Sequence, residues 1–342
     1  MNNSKKTEIS ILMPAKNSAR FLEKTLDSII DQTETNWELI AVNDGSTDET
    51  SFVFSEYVQK DSRIKLFDNE EGSGIISALK TALIQSRGVY ITRMDSDDLM
   101  APHKLETMRK LLKANGPGHV ATGMVECFSD DGIKDGYRKY EKWLNGVILS
   151  EDLYNEIYKE CVIQSSCWMV HRDDLLKTGA FDPEIYPEDY DLCFRFYKHG
   201  IKPVVDEKAG VLHFWRDHAA RVSRNNPEYA DQQFFDLKLK YFFELERDKF
   251  RELVLWGAGS KGKKLARKII DKYENSFRWI TDNTKKIGES IYGIKVKSTK
   301  IISGQGSFQV IIAVSAPEES MEIEKKLEES LLQKNKDYYF FC

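Results

Sequence analysis

The first hundred residues alternate short apolar runs with amphipathic stretches, and each apolar run breaks off in a polar cluster. "ISILMP" (9–14) reads as a buried strand stopping at Pro14. "SARFLEKTLDSIIDQT" then sets Phe21, Leu22, Leu26, Ile29 and Ile30 at helical spacing, with Ser18 as the expected cap. "WELIAVNDGS" is a second strand, "TDETSFVFSEYVQKD" a helix opened by acids, "RIKLFDN" a third strand, "SGIISALKTALIQS" a third helix and "GVYITRMD" a fourth strand. Strands separated by helices of this length predict a parallel, doubly wound α/β sheet. Such sheets take ligands outside the carboxyl ends of their strands. Pro14, Lys16 and Asn17, then Asp44, Gly45 and Ser46, then Asp95 and Asp97, all fall at those ends.

The fourth strand raises an electrostatic problem, because "GVYITRMDSDDLMAPHKLE" places Asp95, Asp97 and Asp98 within four residues. Carboxylates this close repel one another and resist desolvation, so a positive partner is expected among them. Hard divalent cations take carboxylate oxygens, which makes a bound metal the natural candidate. The plainer reading, a solvated turn that caps a helix, needs only one Asp.

Two domains are expected from 342 residues, and 41% hydrophobic with 31% charged residues suits packed cores. A formal net charge of −5 argues against a nucleic-acid partner. The five cysteines (Cys127, Cys161, Cys167, Cys193 and Cys342) form no CxxC pair and no zinc spacing, as expected in a reducing compartment. The apolar run before Lys16 is too short for a signal peptide, and none approaches the about 20 residues of a membrane span. A cytoplasmic location follows as the expectation.

Beyond residue 105 the pattern gives a helix, the strand "HVATGMVECFS", and an aromatic-rich, loop-like stretch at 133–187. "YPEDYDLCFRFYKHG" puts acids at the head of an amphipathic helix, and "VLHFWRDHAARVSRNN" is a strand entering a basic, His-containing loop. An amphipathic helix is expected at 229–250. A strand, a Gly-rich turn and a helix then restart the pattern at "RELVLWGAGSKGKKLARKIIDKY".

Four ordered motifs (the opening strand, "NDGS", "DSD" and the later "ED") closely resemble the inverting glycosyltransferases of family 2, with their GT-A fold. The likeness runs from about residue 9 to 225. It implies a catalytic domain at 1–228 that moves a sugar from a nucleotide-sugar, a UDP-sugar by preference, to a hydroxyl of a glycan or lipid-linked glycan. Mn²⁺ or Mg²⁺ on the D-x-D would neutralise the departing diphosphate. By this resemblance Asp97 contacts the metal, and Asp95 shares that site and lies nearer the ribose. Asp44 bonds the base, while Pro14 and Lys16 border the nucleotide.

By the same resemblance Asp189 is the catalytic base, and Glu188 orients the acceptor or supports the base. Glu188, Asp189 and Asp191 would equally serve as N-terminal charges on a helix. In "FWRDHAARVS", Arg216 is implied to pair with phosphate and His218 to complete the metal shell, whereas His213 reads as packed. The chain departs from the family pattern at Leu79 and Lys80, where relatives carry Asn or Arg-Asn, and Lys80 is expected near a phosphate instead.

The last part, 251–342, resembles small Rossmann-like modules. Gly257, Gly259 and Gly262 follow a strand and open a helix, and Asp282 ends the next strand, the arrangement of a dinucleotide fingerprint. A nucleotide or dinucleotide there, or a tight turn in a docking or oligomerisation domain, are both open. A homo-oligomer and a peripheral contact at the inner face of a membrane are compatible with the sequence. Two rival functions share parts of the pattern: a nucleotidyltransferase, and a nucleotide-sugar or dinucleotide sensor without catalysis.

Overall fold

The computed structural model describes residues 7–342 except 71, 131, 134, 151, 220, 222–230 and 302–307. The chain divides into two compact units, Met1–Leu153 with Val162–Asn225, and Tyr154–Cys161 with Asn226–Cys342.

The first unit is built on ten strands: β1 (Ile9–Ala15), β2 (Trp37–Asn43), β3 (Ile64–Asp68), β4 (Tyr90–Arg93), β5 (Leu99–Met100), β6 (His119–Thr122), β7 (Met124–Phe128), β8 (Trp168–His171), β9 (Lys202–Val204) and β10 (Val211–Arg216). Seven form one sheet in the order β3-β2-β1-β4-β8-β6-β9. β1 to β4 are mutually parallel, so their carboxyl ends share one edge. β8 runs antiparallel to both β4 and β6. β5, β10 and β7 make a second, three-stranded sheet.

All seven residues of β1 are buried, as expected for a central strand covered on both faces. Leu12 turns its carbonyl to Met94 on the β4 side. Two residues on, Pro14 turns its missing donor the same way, past the last β4 partner, Arg93, and so breaks no ladder bond.

Among the described residues, seven α-helices accompany these strands: α1 (Ala19–Ile30), α2 (Thr50–Lys60), α3 (Ile75–Gln85), α4 (Lys104–Asn115), α5 (Asp135–Ile148), α6 (Arg172–Lys177) and α7 (Glu188–Lys198). α1 buries Phe21, Leu22, Leu26 and Ile29 of the expected apolar stripe together with Thr25, while Ile30 is only partly buried. Its cap differs from the expectation, because the Ser18 hydroxyl makes no capping bond. Ala19 N donates instead to Asp48 Oδ2 (3.1 Å), and Ser18 N to Thr50 Oγ1 (2.8 Å), so the next loop closes this helix end. The stretch at 133–187 is also more regular than its loop-like composition suggests, since it supplies α5, α6 and the central strand β8.

The second unit holds a five-stranded, wholly parallel sheet from β11 (Glu252–Trp256), β12 (Arg278–Thr281), β15 (Lys297–Ser298), β16 (Phe308–Ile312) and β17 (Tyr338–Phe340). A small hairpin of β13 (Ser290–Ile291) and β14 (Ile294–Lys295) precedes β15. The sheet order β15-β12-β11-β16-β17 is 3-2-1-4-5 in the unit's own strand sequence. β15 is only two residues long and carries no sequence pattern that marks it. Val254, Trp256, Ile280, Val310, Ile312, Tyr338 and Phe340 form the core.

The helix expected at 229–250 is Asp231–Tyr241 followed by a π-helical turn, Phe242–Glu246; residues 229 and 230 lie outside the described set. Asp236 on this helix binds Lys268 and Lys272. Among the described residues no helix is long and apolar enough to cross a membrane.

Candidate active site

The carboxyl edge of the first sheet gathers the polar clusters. Asp44, just past β2, is nearly buried and accepts from Asn69 Nδ2 (2.7 Å), Gly74 N (3.0 Å) and, more loosely, Lys16 Nζ (3.3 Å). Gly74 reaches that position with φ +91°, a backbone region that favours glycine. Lys16 is half exposed, so its ion pair is screened and weak. Pro14 lies buried in β1 on the same edge.

At the end of β4 the charges interlock. Asp95 Oδ1 accepts from Arg93 Nε (2.8 Å) and Oδ2 from Ser165 Oγ (3.3 Å). Burial opposes charge on Asp95, but the Arg93 and Arg221 guanidiniums outweigh it and hold the carboxyl below its usual range. Asp97 Oδ2 meets His218 Nε2 at 2.8 Å, and the His218 ring lies 4.7 Å from that of Phe21.

Asp98 is fully buried. It accepts from Arg216 N (2.8 Å) and meets His213 Nε2 (3.0 Å), while His213 Nδ1 faces the buried Lys104 Nζ (3.2 Å). Burial, then the neighbouring Asp97, pushes Asp98 well above the carboxylate range; burial, with Lys104 and Arg221, pushes His213 well below its own. His213 is thus packed, as read from sequence, and it fixes the turn that presents Asp97.

Arg216 ends β10 almost wholly buried, its guanidinium 4.6 Å from the Phe21 ring and 4.4 Å from that of Phe128. Nε donates to the Asp97 carbonyl (2.7 Å) and Nη1 to Asp130 (3.1 Å). Nη2 is buried without a partner among the described residues. An orphaned guanidinium N–H is costly, by about 1–3 kcal/mol or more, and an anion would satisfy it.

Glu188 and Asp189 open α7. Glu188 Oε1 accepts from Arg93 Nη1 (2.9 Å), and Tyr190 N donates to Asp189 Oδ1 (2.7 Å). Burial, then the charge of Glu188, pushes the Asp189 carboxyl up to about 7. That is the range in which a carboxylate works as a base at neutral pH.

Sequence reading missed Arg93. Its signal was present: a charged side chain in an otherwise apolar strand is seldom buried without a partner. Lys80, expected near a phosphate, pairs with Asp182 and Glu184 (3.0 Å) in the loop before α7. Trp168 is buried in β8, and its carbonyl accepts from Thr92 Oγ1 (2.5 Å).

The donors suit a divalent cation bound together with a substrate. Among the described residues no three His, Cys, Asp or Glu side chains form a complete cage. Asp97 and His218 provide two converging donors, with Asp95 two residues away, and cations bound alongside phosphates use few protein ligands.

In the second unit, packing explains two of the three fingerprint glycines. Gly257 has φ +116°, and a Cβ on Gly262 would lie 2.0 Å from the Gly257 carbonyl oxygen. A Cβ on Gly259 would meet nothing within 4 Å. Asp282 accepts from Trp256 Nε1 (3.0 Å) and Thr299 Oγ1 (2.6 Å).

The chain is 32% identical, over 190 residues, to the Escherichia coli UDP-Glc:α-D-GlcNAc-diphosphoundecaprenol β-1,3-glucosyltransferase WfgD, a match covering 56% of this chain and 70% of WfgD. The chain belongs to glycosyltransferase family 2. The glycosyl transferase family 2 model matches residues 10–179. The chain is also 30% identical over 225 residues to the glycosyltransferase GlyA of Streptococcus pneumoniae, covering 64% of this chain and only 32% of GlyA.

Among solved structures, S. aureus TarS 1–349 in complex with UDP-GlcNAc superposes with a TM-score of 0.54 at 15% identity, over 79% of this chain and 74% of that one. The Pyrobaculum calidifontis mannosyltransferase PcManGT, solved with GDP-Man and Mn²⁺, gives 0.50 at 18% identity, over 78% and 70%. At such identities the likeness concerns the fold, here the GT-A type expected of this family 2 enzyme.

Proposed function

We propose that this family 2 glycosyltransferase is inverting and metal-dependent, and that it transfers a sugar from a UDP-sugar to a hydroxyl of a glycan or lipid-linked glycan during surface polysaccharide assembly. The observation that carries this reading is Asp189, a carboxyl pushed up to about 7 and placed beside Glu188 at the same edge as Asp95 and Asp97. The named activity of WfgD favours the donor and acceptor classes. A lipid-linked acceptor would bring the enzyme to the inner face of a membrane. No residue of the second unit enters this site assignment, and we read 251–342 as an accessory domain.

In this mechanism Asp189 takes the proton from the acceptor hydroxyl. The oxygen's electron pair forms the new bond to the anomeric carbon as the bond to the diphosphate oxygen breaks on the opposite face. Glu188 keeps Asp189 basic and orients the acceptor. Asp44 offers its remaining lone pairs to base or ribose donors, and Arg216 Nη2 offers a buried N–H to the diphosphate. A divalent ion held by Asp97 and His218, with Asp95 alongside, would neutralise charge on the leaving group.

The test is to incubate purified protein with UDP-, GDP- and dTDP-sugars plus Mn²⁺ or Mg²⁺ and follow nucleoside diphosphate release. Metal-dependent release from one donor, stimulated by pooled glycan acceptors, is the expected result. Binding without release under all conditions would favour a sensor instead.

A further inference from the structure

We propose that Arg93 is a positioning residue that couples the donor half of the active site to the acceptor half. The inference rests on the transferase reading above. Arg93 is the last residue of β4 and only 4% exposed. Its planar guanidinium bonds two carboxylates 93 positions apart in sequence: Nε holds Asp95 Oδ1 at 2.8 Å, and Nη1 holds Glu188 Oε1 at 2.9 Å. Asp95 belongs to the D-x-D on the donor side, and Glu188 adjoins the base on the acceptor side.

The geometry leaves little slack between the halves. A guanidinium presents its N–H groups in a rigid fork, so reorienting one bond reorients the other. Asp95 is restrained on its far side as well, by Ser165 Oγ at Oδ2 and through its backbone N at Ser166 Oγ (3.2 Å). Movement of Asp95 towards an arriving nucleotide must therefore draw on the Arg93 fork, and through it on Glu188 and the neighbouring Asp189. A guanidinium serving only to neutralise buried acids would need neither shared partner on a catalytic segment. The coupling favours a particular order: a filled donor site sets the acceptor carboxylates for proton transfer.

Coupling of this kind appears as non-additivity in binding. Titration calorimetry of UDP in the presence of Mn²⁺ would be carried out on the wild type, Glu188→Gln, Arg93→Lys and the double variant. Lysine keeps the charge but cannot fork, and glutamine keeps the shape of Glu188, so both substitutions spare the fold. Glu188→Gln lies on the acceptor side, yet it is expected to weaken UDP binding by about three- to tenfold. In the Arg93→Lys background the same change should have no further effect.

UDP affinity unchanged in Glu188→Gln would overturn the coupling, and so would losses that simply multiply in the double variant. Should Arg93→Lys not fold, Glu188→Gln with Glu188→Ala still decides the matter through UDP affinity alone. A wild type that binds none of UDP, GDP or dTDP would overturn the transferase reading and the coupling together.

Discussion

His218 Nε2 stands 2.8 Å from Asp97 Oδ2, bringing the segment after β10 back onto the loop that follows β4. The contact is framed from beneath, because Arg216 holds the Asp97 carbonyl while its own backbone N–H holds the buried Asp98. The loop that carries Asp97 is thereby held through its Asp97 carbonyl and through the buried Asp98 carboxylate beside it.

From this pairing, Asp97→Asn and His218→Ala should each weaken Mn²⁺ affinity by at least about tenfold, with the fold intact. Electron paramagnetic resonance of free Mn²⁺ in the presence of UDP measures this directly. Equal affinity in both variants would remove these residues from the metal site.

The raised pKa of Asp189 fixes the sign of the pH dependence. A base must be ionised, so kcat/KM should fall below pH 7, to about a tenth one unit lower. Burial is the larger cause of the shift and Glu188 the next, so Glu188→Gln should move the acid limb of the profile to lower pH. An acid limb unmoved by Glu188→Gln would show that another group titrates.

The same shift bears on stability. Asp189 ionises less readily in the folded chain than in the unfolded one, so its contribution is present at low pH and is lost as pH rises through about 7. Asp189→Asn should therefore raise the unfolding temperature at pH 8 and hardly change it at pH 4, while abolishing transfer. Thermal melts at the two pH values check both halves of this statement.

In the second unit the glycines separate structural need from free space. Gly262→Ala forces a methyl to within 2.0 Å of the Gly257 carbonyl oxygen and should destabilise the unit by about 2 kcal/mol or more. Gly259→Ala meets nothing and should stay within about 0.5 kcal/mol. Urea unfolding followed by Trp256 and Trp279 fluorescence compares the two, and equal losses would contradict the packing account.

These residues also show which parts of the molecule were legible in the sequence. β1 to β4 declared themselves because buried parallel strands between amphipathic helices carry strong, local periodicity. β8 is four residues long, and its place beside β4 depends on pairing with Tyr90, Ile91 and Thr92 far earlier in the chain. β15 is two polar residues, Lys297 and Ser298, with no pattern to read.

Within the proposed site, Asp44, Asp95, Asp97, Glu188 and Asp189 stand out in the sequence as carboxylates at strand and helix ends. Arg93 and Lys104 do not, because each is a cation buried by partners that only the fold brings near: Asp95 and Glu188 for Arg93, Ser166 and His213 for Lys104. Arg216 was assigned to phosphate from its motif alone. The structure adds that its guanidinium lies against the rings of both Phe21 and Phe128.

The most direct measurement is the anomeric configuration of the product, read by proton NMR after transfer from the donor the release screen selects. A single displacement with Asp189 as base predicts inversion, a β-linked product from an α-linked nucleotide sugar, with none formed by Asp189→Asn. Retention of the donor's configuration, or an unchanged rate in Asp189→Asn, would contradict the assignment of Asp189 and the inverting mechanism built on it.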